Sequence, residues 1–508
     1  MPHRRSSLVC APRTLAAALA LALPLGLLFS GSAAAQSVTT PAATQADNSS
    51  AAVWRATSRL GYGPSPASAQ AAQTGAKAWA LQQIDAAFNA SQKAPNIPIE
   101  LAGFNAPVND LARDYHAFTE ERKRQRERPV AAPASHMSMA SASASASASA
   151  TMAVPVKDEQ FLREMVRTSA AWRIMSCSDA AIEQPLLAKM TEFWFNHLNV
   201  SITKGNTRAF TGNYLATAIR TNALGKFEDL LLASAHHPAM LLYLDQAQSN
   251  VRGINENYAR ELMELHTLGV DAGYTQTDVR ELARILTGWS VAFAQGQAFR
   301  FNERQHDTGD KVLLGKTFKN AGVREGEEAI RMLAHHPATA QRIAKRLATT
   351  FISDKPSQAV VDKLAVAFLR TQGDIRAVMQ TLVDLPDFWQ AENTLFKTPL
   401  DFACSALVAR GGVREPRDVQ QTVGFLSQAG QPLHAWQTPD GYKTDAATWL
   451  APEALTRRAD HAINLGARMA EPTYLQPFLS TASRERIARE APNVRSGLLL
   501  ASPDFMSK

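Results

Sequence analysis

Three stretches of this 508-residue chain hold side chains able to do acid, base or ligand chemistry. The first is NENYARELMELHTLGV, Asn255 to Val270, with glutamates, amides, an arginine and a histidine close together. On a helix residues step by about 100°, so Glu256, Asn257, Arg260, Glu261 and Glu264 share one face. Tyr258, Leu262, Leu265 and His266 fall on the other. His266 therefore turns to the core and cannot share a metal with Glu264. Glu256, Arg260 and Glu264 stand at i, i+4 and i+8, the spacing of an ion-pair ladder worth a few tenths of a kcal/mol per pair, roughly. If the face lines a cleft, Glu261 or Glu264 serves as base or ligand, and Asn257 and Arg260 hold substrate.

The second stretch is MTEFWFNHLNVS. Met190, Phe193, Trp194 and His197 lie on one helical arc with Glu192 opposite, so His197 joins an aromatic face. It reads either as a core imidazole or, beside Asn196 and Asn199, as an acid/base group or ligand. The third is HDTGDK, where His306 and Asp307 precede Asp310 and Lys311. Adjacent His and Asp suit a metal, a dyad or substrate binding, with Lys311 holding an anion. The same residues are ordinary turn composition.

The chain has no HExxH, no Cys-x-x-Cys, no P-loop, no Gly-x-Ser-x-Gly elbow and no dinucleotide glycine fingerprint. It also lacks the paired Glu-x-x-His of a four-helix di-iron site. Nucleotide and haem cofactors have no signature here; a divalent metal stays open.

The elements that must position these groups read as mainly α, one large multi-helical domain. DEQFLREMVRTSAAWRIM, AIRMLAHHPATAQRIAKRLATTFI and KLAVAFLRTQGDIRAVMQTLV carry apolar stripes at helical spacing. In YTQTDVRELARILTGW, Thr275 and Asp278 predict a capping box ahead of a stripe of Val279, Leu282, Ala283 and Leu286. HHPA occurs twice, at His236 and His335, and each copy is explained locally by a helix end followed by a proline that opens the next helix. The one excursion is FRFNERQHDTGDKVLLGKTF, 299–318, read as a β-hairpin or extended arm turning at HDTGDK.

The chain opens with Arg4-Arg5, an apolar run from Leu15 to Phe29, and Ala33 and Ala35 before Gln36. That is the layout of a cleaved secretory signal over 1–35, too short in its apolar run for a spanning helix. A polar leader follows over 36–52. A Ser-Ala repeat at about 127–155 lacks the bulk to offset its ordering entropy and reads as an insertion. The expected folded region is 53–470, with 471–508 a helical segment packed on it.

The net charge is +7, but Arg4, Arg5 and Arg13 lie in the leader with no acid, which leaves about +4. So small an excess, with the basic run ERKRQRER interleaved with acids, does not indicate a nucleic-acid partner. Beyond the leader only Cys177 and Cys404 remain, so at most one disulfide can form.

RATSRLGYGPSPAS, EFWFNHLNVS, the NENYARE to LTGW block, FNERQHDTGDKVLLGKTF, HPATAQRIAKRLATTFI, FKTPLDF and PDGYKTDAATWL, in this order, resemble the bacterial domain of unknown function 1800 family, from about Val53 to about Ala470. The resemblance implies an exported, largely helical protein, periplasmic or secreted. It carries no established reaction. It also implies a partner, a second exported uncharacterised protein of sulfatase-like appearance. Where many members carry a histidine two places before that of FWxNH, this chain has Phe195, which leaves a two-histidine metal site on that helix unsupported.

Two functions are compatible with these residues. One is a hydrolase whose site joins the Asn257–Glu264 face to His197 and the His306-Asp307 turn. The other is a non-catalytic envelope protein that binds another exported protein or a polymer, its polar residues serving as buried struts.

Overall fold

Apolar stripes at helical spacing decide most of the architecture. The computed structural model describes residues 49–127, 158–390 and 394–508. The expected signal over 1–35, most of the expected leader and the Ser-Ala repeat lie outside the described residues. Helix begins at Ser50, three residues ahead of the expected start, because the Ser49 hydroxyl caps it by accepting the Ala52 N–H. No helix among the described residues is long and apolar enough to cross a membrane.

The capping box at Thr275 and Asp278 forms, and Val279, Leu282, Ala283 and Leu286 are fully buried on the helix Gln276–Ile285. Both HHPA copies join two helices, Phe227–His236 to Pro238–Tyr243 and Val323–Ala334 to Pro337–Phe351. In each the second histidine caps the new helix, His237 accepting from Ala239 and His336 from Ala338. The likeness of the two copies is thus a shared way of turning a corner.

The β excursion is two small antiparallel hairpins. β1 (Trp289–Ala292) pairs with β2 (Gln297–Phe301), and β3 (Lys311–Leu313) with β4 (Lys316–Phe318). HDTGDK is not a hairpin tip, as the sequence suggested, but the link between the two ribbons. The tips fall at Gly296 and at Leu314-Gly315, which take the left-handed backbone that tight turns need.

Two large hydrophobic clusters form the interior. The helices Asp158–Ser178 and Pro185–His197 stand between them, giving Trp172, Leu187 and Trp194 to one and Ile174, Cys177 and Ala188 to the other. Each fully buried side chain of leucine or phenylalanine size is worth about 1.5–3 kcal/mol. The second cluster is built on the helix Pro399–Arg410 with Pro416–Gln428, Pro452–Gly466 and Pro492–Leu500. Gly466 and Gly497 let the last two meet backbone to backbone, where a Cβ on either would collide. Cys177 and Cys404 form a disulfide that ties the between-cluster helix to the second cluster.

This cross-link closes a loop of 227 residues, so its loss releases chain entropy worth about 2–5 kcal/mol. Urea unfolding of the Cys177→Ser, Cys404→Ser double variant is expected to show that loss, with no further response to a reductant that destabilises the wild type. Equal stabilities in oxidised wild type and double variant contradict it.

Candidate functional site

The opening segment winds as an α-helix only over Asn257–Glu261 and widens to a π-helix over Leu262–His266. The ladder is present. Arg260 meets Glu256 at 3.2 Å and Glu264 at 3.4 Å, and Gln276 joins by donating to Glu256 at 2.6 Å and accepting from Arg260 at 2.9 Å. Asn257 is exposed, its side-chain amide donating to the Leu244 carbonyl. His266 is buried, as the helical geometry requires, with Nε2 unpartnered. His197 reaches the same segment from its buried side, its Nε2 lying 3.0 Å from the His266 carbonyl between Trp194 and Phe227.

His306 and Lys311 belong to another place. His306 Nδ1 bonds the Thr287 carbonyl at 2.9 Å and Nε2 meets Glu325 at 3.1 Å, while Lys311 Nζ lies 2.9 Å from the same carboxylate. All three side chains are buried. Asp307 pairs with Arg284 at 2.8 Å. No hydrogen bond or ion pair joins this cluster to Glu261, Glu264 or His197 among the described residues. The composite site expected from sequence is therefore not one cleft: its third component is a closed strut that pins the β ribbons to the helix Val323–Ala334.

A cleft of about 780 Å³ opens instead at the seam of the two hydrophobic clusters. The helix Pro185–His197 lays Lys189, Glu192, Phe193 and Asn196 along its floor. Pro337–Phe351 supplies a polar face with Arg342, Lys345 and Arg346, and Thr398, Asp401 and Lys508 close one end. The loop Asp440–Asp445 forms a wall.

The EFWFNHLN segment holds that wall in place. Asn196 donates to the Tyr442 carbonyl at 2.9 Å and accepts the Tyr442 N–H at 2.7 Å. Asn199 donates to the carbonyls of Trp436 and Thr438, and the Tyr442 hydroxyl donates to Glu192 at 2.6 Å. Glu192 is in turn paired with Arg173 through bonds of 2.9 and 2.7 Å. Gly441, at φ 72, passes so close to Asn196 that any Cβ there would overlap it.

Charge is unevenly settled along the cleft. Both oxygens of Asp401 are occupied, one by Lys189 Nζ and one by Lys508 Nζ. Burial opposes ionisation of Asp401, yet the two lysines hold its carboxyl well below the usual range. Lys189 is pushed down to about 8, chiefly by burial. Arg346 is lowered to about 10 by burial and by Arg342, and Tyr442 and Asp440 oppose that only in part. No carboxylate lies within ion-pair distance of Arg346, and no hydrogen bond leaves its guanidinium among the described residues.

Glu261 sits half-buried beside this wall. Burial, then the carboxylates of Glu264 and Asp440, raise its carboxyl, and Arg260 opposes them. Among the described residues no group of three or more His, Cys, Asp or Glu side chains is placed to hold a metal ion.

Sequence reasoning missed this cleft. AIRMLAHHPATAQRIAKRLATTFI stands out only for its apolar stripe and its HHPA corner, and PDGYKTDAATWL only as a block of the family resemblance. The available signal was the concentration of glutamate and asparagine in EFWFNHLN, polar groups on a helix buried on all sides, which must find partners elsewhere.

The family described as Protein of unknown function (DUF1800) matches residues 55–507. The match passes Ala470, so the C-terminal helices and the stretch leading to Lys508 are part of the same family domain. No curated protein and no solved structure matches the chain.

The two kinds of ion pair predict opposite costs. Glu325→Ala strands Lys311 in the interior and is expected to cost about 3–5 kcal/mol in urea unfolding. Glu256→Ala, in the part-exposed ladder, is expected to cost less than about 1 kcal/mol; equal costs contradict the assignment.

Acid is a second test. Burial lowers His266 and His237 from 6.5 to about 3 and His461 to about 4. The unfolded chain takes up these protons near pH 6.5 and the folded chain does not, so stability is full above that pH and falls as pH drops towards about 4. The urea midpoint is expected to be lower at pH 5 than at pH 7.5, and the difference to shrink in His266→Gln; a pH-independent midpoint contradicts it.

Proposed function

We propose that this chain, which belongs to the DUF1800 family, is an exported protein that binds an oxyanion-bearing ligand, carboxylate or phosphate, in the cleft between its two hydrophobic clusters. The observation that carries the reading is Arg346. A half-buried guanidinium with no protein acceptor keeps part of its desolvation cost uncompensated, whereas the neighbouring Arg173, Lys189 and Lys508 are each paired. An anion in the cleft would remove that cost. Guanidinium also suits the fork of a carboxylate or phosphate better than ammonium does.

Export is supported by the Cys177–Cys404 bond, since disulfides persist in oxidising compartments, and by the signal-like leader over 1–35.

A hydrolytic version of the same site is the second reading, and Glu261 favours it. Its carboxyl is raised by burial and by two neighbouring carboxylates, the direction that favours a general acid or base. Glu264 is then the companion carboxylate, and His197, buried and bonded to the His266 carbonyl, is a positioning residue for that segment.

Calorimetric titration with inorganic phosphate and with acetate tests the binding claim. Wild type is expected to bind at least one of them, Arg346→Gln to lose about tenfold or more in affinity, and the exposed Arg489→Gln to bind as wild type. Absence of binding to wild type, or equal binding by Arg346→Gln, overturns it.

A further inference from the structure

The cleft has two cationic poles, and they do not share their charges. The groups that act on Arg346 are Arg342, Tyr442 and Asp440. Those that act on Lys189 are Asp401, Lys508 and Glu192. Tyr442 alone touches both sets, since Glu192, Arg173 and Asp401 also bear on it. Tyr442 lines the same cleft as Arg346 and Lys189, with its hydroxyl on Glu192.

The second pole carries more positive charge than its hydrogen bonds reveal. Behind Lys189 and Lys508 lies Lys397, buried, with Nζ unbonded, 4.2 Å from the Phe505 ring and 4.8 Å from that of Trp54. Arg458 lies beside it with no accessible surface. None of its three guanidinium nitrogens has a hydrogen-bond partner, and it packs over Phe396 and Phe402. Lys189, Lys397, Lys508 and Arg458 all act electrostatically on one side-chain carboxylate, Asp401. Cation–π contact offsets part of the burial cost but supplies no counter-charge.

Of these groups only Lys189, Asp401 and Lys508 line the cleft. Burial pushes Lys397 well below the usual lysine range, so Lys189, Lys508 and Arg458 carry the positive charge here, and it reaches the cleft at Lys189 and Lys508. Of the other acids that line the cleft, Glu192 is already paired with Arg173. Asp271 and Asp440 are exposed, where water screens them, and Asp445 caps the short helix Ala446–Trp449.

We infer that the ligand is a dianion, with one oxyanion group on Arg346 and Arg342, the second at Lys189 and Lys508, and the span between them lying along Tyr442. This rests on the anion-binding reading above and adds to it the number and placement of the charges. The two groups are carboxylates, phosphates or one of each, since both match the donors.

The test compares one charge with two. Wild type is titrated with butyrate and then with unbranched dicarboxylates of three to six carbons, and separately with inorganic phosphate and with pyrophosphate. At least one dianion is expected to bind about tenfold more tightly than its single-charge counterpart, with an optimum in chain length. In Lys189→Gln, and independently in Lys508→Gln, that advantage is expected to fall to less than about twofold while single-anion binding persists. Should one lysine variant fail to fold by circular dichroism, the other variant and the wild-type length series still decide. Arg346-dependent binding of butyrate or phosphate with no gain from a second charge overturns the two-pole ligand and leaves the single anion site standing. No binding of any anion overturns both.

Discussion

A carboxylate held between two buried ammonium groups fixes the seam of this molecule. Asp401, one turn into the helix Pro399–Arg410, receives Lys189 from the helix Pro185–His197 and Lys508 from the far end of the sequence. Removing Asp401 leaves two ammonium groups in the interior without their shared counter-charge, at a cost of about 3–5 kcal/mol, whereas removing either lysine leaves Asp401 paired with the other. The constraint therefore sets how the second hydrophobic cluster docks on the first, and the Cys177–Cys404 bond reinforces it from one turn further along the same helix. It also leaves positive charge in excess.

Most buried charges in the chain serve to lock one element to another. Arg220 with Glu183, Arg173 with Glu192, and Lys311 and His306 with Glu325 each close on a buried partner. Such pairs add little net stability over apolar packing, but they specify register, because a misplaced helix would leave an ion alone. Arg346 and the cations behind Asp401 break this pattern. They face, or stand behind, the cleft, and an anion from outside would supply the counter-charge they lack. The contrast between satisfied and unsatisfied charge distinguishes the binding region from the struts, and it moves the centre of interest from His306 to Arg346.

Local features were legible in the sequence to the extent that they depend on near neighbours. The helical class, the capping box at Thr275, the inward turn of His266, the ladder through Arg260 and the corner chemistry of HHPA each need residues a few places apart. The π-widening over Leu262–His266 was not legible, since an ideal step of about 100° assumes its absence. Nor was the role of HDTGDK as a link, because turn composition does not say which strands it joins. The cleft needs Lys189, Arg346, Asp401 and Tyr442, drawn from segments some 40 to 250 residues apart, and no periodicity encodes that meeting. Even so, Glu192, Asn196 and Asn199 marked the helix that organises it. Their destination, the Trp436–Tyr442 loop, is what the coordinates add.

The central claim is that Arg346 is left without a protein acceptor so that a ligand can supply one. Crystals of the mature protein grown with selenate, located by its anomalous scattering, test this most directly. The account predicts an anomalous peak within hydrogen-bond reach of the Arg346 guanidinium, inside the cleft. A cleft without that peak, with a carboxylate of the chain itself seated on Arg346, would contradict it.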